Sequence, residues 1–327
     1  MADLAGRGTR VLSLPDSWVW DFWFADDGER YHLFFLRASR ALLDPDRRHR
    51  RASLGHAVST DLRHWTLRAD ALVADDAPAP DDRAIWTGCV VRPPGGPWHM
   101  FYTGLSEVDG VLVQTTCLAT SDDLDVWTRH PANPVLRADP RWYATREGGD
   151  EPWRDPWVFP DPDGGGWHLI ATAGARTGPT GDRGVLGHAR SPDLLRWTPQ
   201  PPLTAPGSGF DQLEVPQLEV VDGRPLLVFS CLHAELGPGR RAVEPTGGIW
   251  MAAGPEGGGL FDAFAHVGAA RLVSDDRLYV GRLVRDRDGE WVLLAFHNRG
   301  PDGRFVGAIS DPMPLPRLEE GAGELRP

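Results

Sequence analysis

Lysine is absent: all 34 basic residues of this 327-residue chain are arginine. That excludes Schiff-base lysines, pyridoxal-phosphate attachment and a Walker-A phosphate loop. Cysteine is scarce. Cys89, Cys117 and Cys231 are odd in number and too few for a disulfide framework, which points to a reducing compartment. A chain this long buries a core without such staples. No run of about 18 apolar residues occurs, so no segment is expected to span a membrane. The opening MADLAGRGTRVLSLPDSW holds no apolar signal core and no cleavage site, and a cytoplasmic location is expected. Positive charge is in deficit, 34 basic against 46 acidic residues for a net −12. Such a surface suits neither nucleic acid nor an anionic membrane. The eleven histidines show no H-E-x-x-H or Cys/His spacing, so no metal and no other cofactor is expected. His297, in AFHN, reads as a core histidine.

What is plentiful is glycine (38), proline (30) and tryptophan (14). Gly, Pro and Asp interrupt every candidate helical window. Short aromatic-rich runs such as YHLFFL, WHMFY, WHLIAT, PLLVFS and WVLLAF each follow a polar turn, among them DDGERY, PPGGPW and DPDGGGW. A turn feeding such a run signals a strand.

The turn-and-strand units recur, opening near Asp21, Trp86, Asp155, Glu214 and Tyr279, about 60 to 70 residues apart. Each reads strand, turn, strand, strand, and three close on Ser-x-Asp-Leu-x-x-Trp leading into an outer strand. Four antiparallel strands in five units predict an all-β, five-bladed β-propeller, in preference to a β-solenoid or a two-sheet sandwich. No linker separates the units. One domain is expected over residues 1–327, with a polar C-terminal tail at 317–327. Trp65, Trp127 and Trp197, in the Ser-Asp-Leu-Trp turns, are expected to pack between blades rather than to do chemistry.

Carboxylates gather at the openings of the inner strands. Asp21 lies in WVWDFW, Asp155 in WRDPW and Glu214 in QLEVPQ. A carboxylate in an apolar strand opening is costly unless it is paired or functional. Three at one phase of three repeats are expected to share the mouth of the central channel, where crowding raises at least one pKa. Paired acids flanked by aromatic faces suit glycosidic bond cleavage, tryptophan covering a sugar's apolar face and Arg154 donating to hydroxyls. A small carbohydrate is the expected partner.

These motifs resemble the five-bladed propeller glycosidases of families 32 and 68, the fructofuranosidases and fructosyltransferases. VWDFWFADDGERYHLFFL is similar to the family 68 nucleophile motif, WRDPWVF to the shared Arg-Asp-Pro motif, and DQLEVPQLEV to the acid motif. IWTGCVV is a looser match to Trp-Ser-Gly-Ser. The likeness runs from about residue 16 to 312. It implies a retaining mechanism with Asp21 as nucleophile, Glu214 as general acid/base and Asp155 as transition-state stabiliser. It also implies substrate binding by Arg154, Trp20, Trp86 and Gln212.

The departures shape the expected substrate. Phe22-Trp23-Phe24 replaces the Pro-Asn-Gly of family 32. Gln212 and Val215 stand where family 68 has the glutamate and arginine that flank the acid and bind the glucosyl part of sucrose. The chain reads as the propeller alone, without the C-terminal β-sandwich of family 32. A small fructoside or related furanoside is therefore expected over sucrose or polymer synthesis. Two alternatives stay open. One is an inverting arabinofuranosidase or xylosidase similar to family 43, whose first aspartate is a general base. The other is a non-catalytic propeller that binds sugar at the same mouth.

Overall fold

In the computed structural model, residues 12–145 and 152–316 are described, and the expected tail at 317–327 lies outside them. Aromatic and β-branched runs between tight turns give five four-stranded antiparallel sheets arranged as a five-bladed propeller. The first blade is β1 (Ser17–Asp26), β2 (Tyr31–Ser39), β3 (Ser53–Ser59) and β4 (Thr66–Leu67). The second is β5 (Ala84–Val91), β6 (Trp98–Val108), β7 (Val111–Ser121) and β8 (Thr128–Arg129). The third is β9 (Trp153–Pro160), β10 (Trp167–Gly174), β11 (Gly184–Ser191) and β12 (Thr198–Gln200). The fourth is β13 (Glu214–Val221), β14 (Arg224–Cys231), β15 (Gly248–Ala253) and β16 (Arg271–Ser274).

The fifth blade has β17 (Leu278–Arg285), β18 (Trp291–Arg299) and β19 (Phe305–Ile309), with β20 (Met313–Pro314) also paired to β18. Its outer edge is met by residues from the other end of the chain. Leu12 and Ile309 exchange both backbone hydrogen bonds, at 2.9 and 3.0 Å. The first and last blades are thereby tied together.

The core lies between blades in four clusters of apolar side chains, the largest of which joins the first blade to both the second and the fifth. The repeated Ser-x-Asp-Leu-x-x-Trp turns have one physical design. The Asp61, Asp123 and Asp193 carboxylates each accept from the backbone N–H groups two and three residues on. Leu62, Leu124 and Leu194 then turn the chain at φ 62°, 66° and 66°. Trp127 and Trp197 donate back to the carbonyls of Leu124 and Leu194, and their rings meet Phe34 and Phe101 of the preceding blade edge-on. Trp65 instead stacks on Phe24 of its own blade.

Candidate active site

Every inner strand carries one more residue than its neighbour at the same height, a bulge lying between Trp20 and Phe22, Trp86 and Gly88, Arg154 and Trp157, Glu214 and Gln217, and Tyr279 and Arg282. Bulges re-aim side chains and are common beside active sites. In β5 the bend is so tight that a Cβ on Gly88 would lie 2.2 Å from the Phe101 carbonyl oxygen. The register corrects one expectation. Asp21 and Asp155 occupy equivalent bulge positions, whereas Glu214 stands one residue earlier, in the row of Trp20, Trp86, Arg154 and Tyr279. Both rows face one mouth, so the three acids share a site despite the difference in phase.

Left-handed backbone marks three of the bulges: Asp155, Val215 and Val280 have φ of 57°, 51° and 53°. Such conformations cost energy for residues with a Cβ and persist only where the surroundings fix them. Here each N–H is fixed by a side chain of the preceding blade. Asp155 donates to Thr103 Oγ1 (2.9 Å), Val215 to Asp155 Oδ2 (3.2 Å) and Val280 to Ser230 Oγ (3.0 Å). Asp155 is therefore both a site acid and a fastener between two blades.

The mouth opens into a cavity of about 910 Å³ whose walls include Asp21, Asp155, Glu214, Arg154, Trp20 and Trp86. Asp155 is buried, 3% exposed, and also accepts from Thr172 Oγ1 at 2.8 Å. Arg154 couples two acids: its Nη2 donates to Glu214 Oε1 at 2.6 Å and its Nε lies 3.5 Å from Asp155 Oδ2. Glu214 Oε2 accepts from the Tyr279 hydroxyl at 2.5 Å. Asp21 Oδ2 accepts from Thr87 Oγ1 at 2.8 Å. Burial, then the Asp155 and Glu214 charges, push the Asp21 carboxyl up to about 7 against the Thr87 bond and the Arg48 cation. Burial also raises Asp155, with Arg154 opposing it. Arg154 is held above its usual range because Glu214 and Asp155 outweigh the effect of burial.

Gln212 stands behind Arg154 rather than among the cavity-lining residues; its Oε1 accepts from Arg154 Nη2 at 3.0 Å. His297 is half-buried on β18 and is likewise not part of the lining. Several lining residues carried no signal in the sequence. Arg48 and His49 come from a 3-10 segment, Pro45–Arg50, inside a stretch that reads as solvated charge. His49 is flanked edge-on by Trp20 and Trp86, whose Nε1 donates to the His49 carbonyl at 2.7 Å. His49 is itself exposed at the mouth, and the protein packed about its ring lowers its imidazole below the usual range. Glu235, after β14, also reaches the cavity, and burial and Glu214 raise its carboxyl. Tyr279 was legible only as a blade opening.

Residues 23–242 match the model of the glycosyl hydrolases family 32 N-terminal domain. The chain belongs to glycosyl hydrolase family 32. Over 135 residues it is 38% identical to the vacuolar acid beta-fructofuranosidase 1 of a Rosa hybrid cultivar, a match covering 39% of this chain and 20% of that protein. The matched part thus spans about a fifth of that relative's length. The structure of a sucrose-6-phosphate hydrolase from Lactobacillus gasseri superposes with a TM-score of 0.73 at 18% identity, covering 94% of this chain and 61% of that one. An inulosucrase from Halalkalicoccus jeotgali bound to kestose gives 0.70 at 21% identity, covering 92% and 83%. At these identities the two structures speak for the fold, which they share with this family 32 chain.

Proposed function

We propose that this chain is a retaining β-fructofuranosidase that removes or transfers a terminal β-fructofuranosyl unit from a small fructoside. The observation that carries the reading is the convergence of Asp21, Asp155 and Glu214 on one tryptophan-lined cavity in a family 32 propeller. In this reading the ionised Asp21 attacks the anomeric carbon while Glu214 gives its proton to the departing oxygen. Glu214 then takes a proton from water, the water oxygen attacks the same carbon, and the Asp21 carboxylate leaves. Asp155 and Arg154 hold sugar hydroxyls through contacts that tighten as the ring flattens. Trp86 borders its apolar face, and Trp20, 2% exposed, backs the site from the core. Gln212 acts through Arg154. With Gln212 and Val215 beside the acid, sucrose is a poor substrate compared with other fructosides. Three free, buried cysteines support a cytoplasmic setting.

The test is time-resolved NMR of the first sugar released from sucrose, short fructans and aryl furanosides. Initial β-fructofuranose, with little turnover of sucrose, is the expected result. No fructose from any of these substrates, or arabinofuranoside cleavage with inversion, overturns the reading.

A further inference from the structure

Beyond the bulges the inner strands wall a second cavity, of about 240 Å³, that shares no lining residue with the sugar cavity. Its walls include Phe24 of β1, Trp157 of β9, Gln217 and Glu219 of β13, Arg282 of β17 and Trp291 of β18. Arg282 is 1% exposed. Its Nε donates to the Phe22 carbonyl at 3.1 Å, and its Nη1 to the Val215 and Pro216 carbonyls at 3.3 and 3.0 Å. The guanidinium carbon lies 5.2 Å from the Trp157 ring centroid. One cation of the fifth blade thus fastens the first and fourth blades and rests on the third.

That cation has no counter-ion among the described residues, and its Nη2 is buried without an acceptor. Buried charges are ordinarily paired, and three carbonyls and a ring face meet only part of the need. The same cavity wall holds two further buried donors without an acceptor, Trp157 Nε1 and Trp291 Nε1. Guanidinium and indole groups donate only. No lining oxygen is buried without a donor among the described residues, so the unmet demand is wholly for an acceptor. The Gln217 amide is already spent on the Leu283 backbone and Glu219. Of the two acids in the wall, Asp26 takes both Arg287 Nη atoms at 2.7 and 3.0 Å, and Glu219 Oε1 accepts from Gln217 at 3.2 Å. Arg285 adds a second cation to the wall.

We infer that this cavity binds a small monovalent anion of halide size, held by Arg282 Nη2 and the Trp157 indole N–H. The anion neutralises the cation that ties the blades together, so it stabilises the propeller without touching the sugar site. Glu219 is a like charge in the same cavity and weakens the binding.

The experiment pairs diffraction with thermal unfolding. Crystals of the wild type grown in sodium bromide should show a bromide anomalous peak within hydrogen-bond reach of Arg282 Nη2 and Trp157 Nε1. In solution, Tm should rise with bromide when sodium gluconate holds the ionic strength constant, and the rise gives an apparent Kd. Trp157→Phe keeps a ring beneath the guanidinium but removes the N–H, and should raise that Kd about tenfold. Glu219→Gln keeps an oxygen for Gln217 and removes the like charge, and should lower it several-fold. Water at this position in every salt, with no bromide peak, overturns the inference. A Tm rise of equal size in the wild type and both variants overturns it too, as an adventitious ion only, bound elsewhere.

Discussion

Replacing Asp21 with asparagine should abolish turnover and, at the same time, stabilise the fold above neutral pH. The carboxyl sits at about 7 against an ordinary 3.8, so the native state holds a proton that the unfolded chain has given up. A raised native pKa contributes stability that is fully present below about pH 4 and lost as pH rises through about 7. The gap of about three pH units is worth about 4 kcal/mol at ~1.4 kcal/mol per unit. Solvent in the open mouth screens part of it, leaving roughly 1–3 kcal/mol. Asparagine is neutral at every pH and retains an oxygen for the Thr87 hydroxyl, so it escapes this loss. Scanning calorimetry of the two proteins from pH 4 to 8.5 checks the idea. The difference in Tm should be near zero at pH 4 and grow to roughly 2–6 °C in favour of the variant by pH 8. A difference independent of pH, or wild type the more stable at pH 8, refutes the electrostatic argument.

Other outcomes follow from the same geometry. The acid limb of kcat/KM should lie near pH 7, because Asp21 must ionise before it attacks; a limb near pH 4 in a full pH–rate profile contradicts this. Glu214→Gln should lose several orders of magnitude in kcat yet regain turnover with azide on a substrate whose leaving group needs no proton, with the β-fructosyl azide found by mass spectrometry and NMR. Asp155→Ala should cost about 1–3 kcal/mol more in urea unfolding than Asp155→Asn, since the amide oxygen still accepts from Val215 N–H and the methyl group does not. In the Asp21→Asn background, Tm should fall as pH drops from about 6.5 to about 4, because burial holds His56 and His188 down at about 4 and each must take up a proton there.

The blades were readable because each is built from local signals: a polar turn, an aromatic strand, and an aspartate that caps the next turn. The gathering of the three carboxylates at one mouth was readable for a related reason, since a carboxylate among tryptophans conflicts with its own surroundings. Their exact alignment was not. Counting from turn to turn put Glu214 level with Asp21 and Asp155, but the extra residue in each inner strand decides which side chain faces the mouth, and no residue type announces it. Arg48 escaped notice because its burial depends on Phe305, contributed by the last blade, and nothing in DPDRRHRR separates the one desolvated arginine from its solvated neighbours. Gln212 enters the site residues only through the resemblance to the acid motif, and the sequence does not say which way its side chain turns. Its carbonyl oxygen faces Arg154, an orientation set by the packing of two blades.

The bulges separate two jobs that a plain strand would bind together. In an unbroken strand, alternation ties every side chain to every other, so turning one residue toward the funnel turns the whole strand over. With one surplus residue at the mouth, the upper rows present chemistry while the segment below keeps its own faces against the neighbouring blades. Substitutions at Asp21 or Glu214 therefore have room to change what the site recognises without turning over the segment below. Deleting a single residue there is a different kind of change: it restores regular pairing and reverses the faces of one part of the strand relative to the other. For this propeller a one-residue gap at Asp21 or Thr87 should do more damage than almost any replacement at either position.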